Sequence, residues 1–158
     1  MTEPKPPPII LIADDDPDDR LMMRDAFAER CRDCRMCFAH DGAELMSILN
    51  GKEPLLEDIE SPCVYPDVIL LDLNMPLKDG REALREIKSS PRLRTIPTIV
   101  MTTSADEDDI RYCYQAGANS YIVKPSTYSE LLDVVSSLTN YWATTVTLPG
   151  RPERHDRE

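Results

Sequence analysis

At 158 residues the chain suits one domain with its own core and is short for two. Its net charge of −11 repels phosphate backbones and anionic lipid, which argues against nucleic acid or membrane and favours a protein partner with a basic surface. The composition, 41% hydrophobic and 30% charged, is that of a globular chain, and no window approaches the roughly 18 apolar residues of a membrane span.

Residues 1–7 are proline-rich and lack the basic-then-apolar order of a signal peptide, so they read as an extended or disordered lead, and the chain is expected to be cytoplasmic. Pro8 to Ala13 is an apolar run of strand length. Six residues, Asp14-Asp15-Asp16-Pro17-Asp18-Asp19, follow it. Asp16-Pro17 reads as a helix N-cap with proline at the first helical position, and Leu21, Arg24, Phe27 and Ala28 carry the helical spacing. Asp16, Asp18 and Asp19 fit a cap-rich first turn. Asp14 and Asp15, directly after a buried strand, fit a functional role better. The stretch fails as a calcium loop, because Asp19 stands where glycine is needed and Asp25 where a bidentate Glu is needed.

Next comes Cys31-x-x-Cys34-x-x-Cys37, three of five cysteines that a reducing compartment keeps as thiols. A metal reading needs a fourth ligand, for which His40 and Cys63 are the early candidates. The favoured reading is a short strand, Cys34 to Ala39, with Cys34, Met36 and Phe38 on one face and Cys37 on the other. Asp41 opens a second helix bearing Leu45, Ile48 and Leu49, which Asn50-Gly51 ends. Gly51 to Pro66 reads as a surface excursion. Further strand-length runs are Asp67 to Asp72, Thr98 to Thr102 and Ser120 to Val123. Between and after them lie helices at Arg81 to Ser89, after a Ser104-x-x-Glu107 capping box, and after a second box, Thr127-x-x-Glu130.

Apolar runs without alternation suggest strands buried on both faces, and their alternation with helices predicts an open, doubly wound α/β parallel sheet. Such sheets bind ligands beyond the carboxyl ends of their strands. Those ends deliver Asp14, Asp15, Asp72, Thr102 and Lys124. Crowded carboxylates call for a cation, and an all-oxygen set suits Mg²⁺. An ammonium and a hydroxyl suit the oxygens of a transferring phosphoryl group, which a carboxylate can accept as an acyl phosphate.

The set Ala13-Asp14-Asp15-Asp16-Pro17, Leu70 to Gly80, Val100 to Ser104 and Gly117 to Pro125 resembles a bacterial response-regulator receiver over roughly residues 8 to 140. The resemblance implies a flavodoxin-like five-stranded sheet in the order 2-1-3-4-5 with five flanking helices. It implies Asp72 as phospho-acceptor, Mg²⁺ on Asp14, Asp15, Asp72 and the backbone carbonyl of Asn74, and Thr102 and Lys124 on the phosphoryl group. Tyr121 corresponds to an aromatic switch coupled to Thr102, and Lys124-Pro125 to a cis peptide. Within the family, the Asp-rich opening, the long loop before strand three and Tyr141-Trp142 resemble stand-alone regulators paired with phytochrome-type or hybrid histidine kinases.

The expected partners are therefore a sensor histidine kinase, a histidine phosphotransfer protein and a second copy of the chain. The receiver is expected over 8–143, and 144–158 as an extension. Tyr141, Trp142, Val146 and Leu148 suit a homodimer contact, or else Trp142 folds back onto its own domain. Output through protein contact, relay and phosphate sink all remain open. A haloacid-dehalogenase-type phosphatase needs an acid two positions after the nucleophile, where this chain has Asn74; an FMN carrier needs a phosphate loop where it has aspartates. No enzyme in the ordinary sense is expected.

Overall fold

The apolar runs form five parallel strands, β1 (Ile9–Ala13), β2 (Arg35–Ala39), β3 (Val68–Leu71), β4 (Thr98–Thr102) and β5 (Ser120–Val123). Five helices alternate with them: α1 (Pro17–Arg30), α2 (Gly42–Leu49), α3 (Gly80–Ser89), α4 (Glu107–Ala116) and α5 (Tyr128–Thr139). The computed structural model describes residues 7–51 and 65–150, so the expected excursion after Gly51, most of the lead and the final eight residues lie outside the described part. The sheet runs in the order β2-β1-β3-β4-β5, as the resemblance implies. Its order reverses between β1 and β3, which pair with Ala13 opposite Leu71. The two residues that follow this pair are Asp14 and Asp72.

Alternate residues of each strand feed two cores. Ile9, Leu11, Ile69, Leu71 and Val100 pack with α2 and α3, while Ile10, Ile12, Val68, Leu70 and Ile99 pack with α1 and α5. Burial on both faces is why the runs lack alternation. Phe38 joins the second core with Cys34 and Met36 packed against it, and Cys37 joins the first, so the face assignment of β2 holds.

Gly80 sets the distance between α3 and the end of β3. A Cβ there would lie 2.6 Å from Leu73 Cα and closer still to the Asp72 carbonyl. The backbone could not yield without moving Asp72. Gly80→Ala is therefore expected to cost about 2–3 kcal/mol, the upper part of the usual overpacking range, in urea denaturation.

Several local expectations change. The α1 stripe is Met23, Ala26 and Phe27, and Leu21 stands 53% exposed. Four consecutive residues, Leu21 to Arg24, include three apolar ones and leave the helical phase open; the packing against β1 decides it. The cap of α4 is Asp106, whose side chain accepts from Asp108 N, and not Ser104. Ser104 instead donates to Asp109 Oδ2 at 2.7 Å. The cysteines are not all thiols. Cys31 and Cys34 form a disulfide across the turn from α1 to β2, Cys37 is also disulfide-bonded, and Cys113 is the free cysteine of the described residues. Burial pushes the Cys113 thiol up to about 11, which leaves it a packing group. The described residues contain no cis peptide bond, so Lys124-Pro125 is trans.

The chain leaves α5 through a π-helical turn, Asn140–Thr145. Trp142 and Leu148 pack against the second core, beside Pro8, Ile10 and Phe27, while Tyr141 is 52% exposed with its ring edge-on to Trp142 at 5.1 Å. Trp142 thus folds back onto its own domain.

Candidate functional site

The strand ends at the reversal point converge as the sequence predicts. Asp14 follows β1, its N–H held by the Ala39 carbonyl, and Asp72 follows β3, its N–H held by the Ala13 carbonyl. Both side chains are buried, whereas Asp15 is exposed. Each of the three offers an oxygen, and these oxygens lie within 4.8 Å of one another. Three carboxylates at that spacing repel one another strongly in a half-buried setting. A divalent cation is what such a donor set fits.

Lys124 reaches the same point from the end of β5, where its N–H bonds the Thr102 carbonyl at 2.8 Å. Its Nζ donates to Asp14 Oδ2 at 2.7 Å, Asp19 Oδ2 at 2.8 Å and Asp72 Oδ2 at 3.0 Å. Burial by itself would lower the ammonium's pKa. The bonds to Asp14 and Asp19 and the nearby charges of Asp14 and Asp72 outweigh it, and the pKa stands above the ordinary lysine value. For Asp14 the balance is opposite: burial raises its carboxyl above the usual range although Lys124 and the Asp16 N–H pull it down. The lysine offsets part of the carboxylate repulsion and leaves capacity for a second cation.

Thr102, at the end of β4, has a fully buried hydroxyl with no hydrogen-bond partner. An orphaned buried hydroxyl is costly and marks either strain or a site that a ligand completes. Its position at the end of β4, where its carbonyl takes the Lys124 N–H, suits the second. Asn74 is exposed, and its N–H donates to Asp72 Oδ1 at 3.3 Å. Tyr121 is half-buried against the first core and donates to the Ser104 carbonyl at 2.8 Å. That ties the aromatic ring to the β4–α4 loop two residues past Thr102.

Two features escape the sequence reading. Asp19, assigned to a solvated helix turn, belongs to the site through Lys124. The only signal was its place in the first turn of α1, which an ordinary cap residue shares. The second is Arg81, whose Nε donates to Asp109 Oδ1 at 2.8 Å, with Asp109 also taking the Ser104 hydroxyl. The bonds from Arg81 and Ser104 hold the Asp109 carboxyl below its usual range. This pair joins α3 to α4 around the loop that Tyr121 touches. Residues 28 apart on two helices give no sequence pattern for it. His40 is half-buried, with its ring Nδ1 against Glu44 Oε1 at 2.8 Å.

Residues 10–136 match the family described as the response regulator receiver domain. Response regulator Rcp1 of Synechocystis sp. is 37% identical over 148 residues, 94% of this chain and 97% of its own. The crystal structure of the phosphorylated cyanobacterial phytochrome response regulator RcpA superposes with a TM-score of 0.81 at 37% identity, over 91% of this chain and 99% of that one. The Mn²⁺-bound form of Rcp1 superposes with a TM-score of 0.79 at 36% identity, over 91% of this chain and all of that one.

Proposed function

The chain belongs to the response regulator receiver family, and from that premise we propose that Asp72 accepts a phosphoryl group from the phosphohistidine of a sensor histidine kinase. One observation carries the reading: Asp14, Asp15 and Asp72 converge with the Lys124 ammonium, and the Lys124 backbone N–H bonds the carbonyl of Thr102, whose buried hydroxyl has no partner. Mg²⁺ held by Asp14, Asp15, Asp72 and the Asn74 carbonyl would neutralise charge on the transferring group.

A carboxylate oxygen of Asp72 attacks phosphorus in line as the bond to the imidazole nitrogen breaks. The imidazole, protonated on its other ring nitrogen, leaves as a neutral base, and the product is an acyl phosphate on Asp72. Lys124 turns an N–H toward the phosphoryl oxygens, and Thr102 donates its free hydroxyl to one of them. Movement of Thr102 changes the β4–α4 loop, and Tyr121, bonded to the Ser104 carbonyl in that loop, follows it. The outcome is a change in the surface formed by α4, β5 and α5. Labelling with acetyl phosphate, trapping by borohydride and mapping by peptide mass spectrometry should find the modification at Asp72. A label elsewhere, or none, would overturn the assignment.

The receiver unit is taken as residues 8–143, with 144–158 an extension. A phytochrome-type kinase is the proposed partner, on the strength of what RcpA is named for. A dimer would use Tyr141 and Val146, since Trp142 and Leu148 are engaged with their own core. Metal stripped by chelator and then returned gives a direct test of the cation. Mg²⁺ at about 100 times its Kd should add about 2.7 kcal/mol, or roughly 5–10 °C in Tm. Asp14→Asn should remove most of that shift.

A further inference from the structure

An ammonium has three N–H donors and no acceptor. In Lys124 all three are spent on carboxylates, those of Asp14, Asp19 and Asp72. The lysine can therefore reach a phosphoryl oxygen only by giving up one of these bonds. Asp14 and Asp72 belong to the cluster whose oxygens a divalent cation would share, and Asp19 does not. Asp19 is thus the acceptor that still holds Lys124 once the other two carboxylates are engaged elsewhere.

The carboxylate of Asp19 has no duty in the helix cap. Asp16 caps α1, accepting from the N–H groups of Asp18 and Asp19. Asp19 reaches Lys124 from the first turn of α1, across 105 residues of sequence, with its side chain 27% exposed. It also adds a negative charge beside the place where a phosphoryl dianion arrives.

We propose that Asp19 is a positioning residue for phosphoryl transfer to Asp72: it tethers the Lys124 ammonium and so slows that lysine's engagement of the incoming group. The proposal rests on the assignment of Asp72 and Lys124 made above. Asp19→Asn keeps the shape of the side chain and removes its charge, which loosens the tether. The labelling rate with acetyl phosphate at saturating Mg²⁺ is expected to rise about tenfold, equivalent to about 1.4 kcal/mol in the barrier.

A merely structural role, or a diffuse charge effect, would not depend on the lysine. The same substitution is therefore made in a Lys124→Ala background, where the acceleration should fall below about twofold if the tether is the cause. An unchanged or slower rate in the single variant would overturn the proposal, and so would equal acceleration in both backgrounds. Asp72→Asn run in parallel separates the two levels: persistent labelling there sinks the site assignment, whereas its loss with no Asp19 effect sinks the tether alone.

Discussion

Asp72→Asn should lower labelling by acetyl phosphate by more than about 100-fold, because a neutral amide is a poor nucleophile toward phosphorus. No neighbouring carboxylate is placed to replace it cleanly. Asp14 is bound by Lys124 and the Asp16 N–H, and Asp15 points from an exposed position. The variant should remain folded, since Lys124 keeps Asp14 and Asp19 as partners and one buried charge is gone. Intact-protein mass spectrometry after timed exposure to the donor reads the outcome. Normal stoichiometry in the variant would mean that another residue is the acceptor.

Lys124→Ala is expected to destabilise the protein by about 3 kcal/mol in the absence of divalent metal, the low end for breaking a buried ion pair. The side chain is only 14% exposed, and its removal leaves Asp14 and Asp72 facing each other without compensation. Added Mg²⁺ should recover much of the loss by supplying the missing charge. The pH dependence follows from the direction of the shift. The folded pKa of Lys124 lies above its ordinary 10.5, so the lysine's stabilisation is complete below 10.5 and declines as pH rises past it. Urea midpoints of the two proteins should therefore stay apart through neutral pH and converge only in strong alkali. Equal stability at pH 7 without metal would contradict the network described here.

The sheet and most of the site are legible in the sequence because one physical rule covers them. Parallel strands are apolar on both faces, so their ends are sharply marked, and Asp14, Asp72, Thr102 and Lys124 each stand at such an end. What escapes is set by side-chain direction and by contacts across helices. Asp19 and Asp18 are the same residue type in the same helical turn, and only Asp19 meets the lysine. Ser104 satisfies the capping-box spacing, yet Asp109 draws its hydroxyl away and Asp106 takes the cap. Compartment chemistry alone predicts thiols for the cysteines, whereas the turn after α1 brings the Cα atoms of Cys31 and Cys34 to 5.4 Å, within bonding range. The trans Lys124-Pro125 bond departs from what the resemblance implies.

Trp142 is the chain's single tryptophan, and it sits against Pro8, Ile10 and Val68, at the amino ends of the central strands. The acidic cluster occupies the opposite rim. Indole fluorescence in this molecule should accordingly report loss of the second core on denaturation while standing too far from the acidic cluster to sense a bound cation directly. Optical titrations of the site will need a dye or an introduced fluorophore near α4, and the native emission then serves as a built-in control for intact folding.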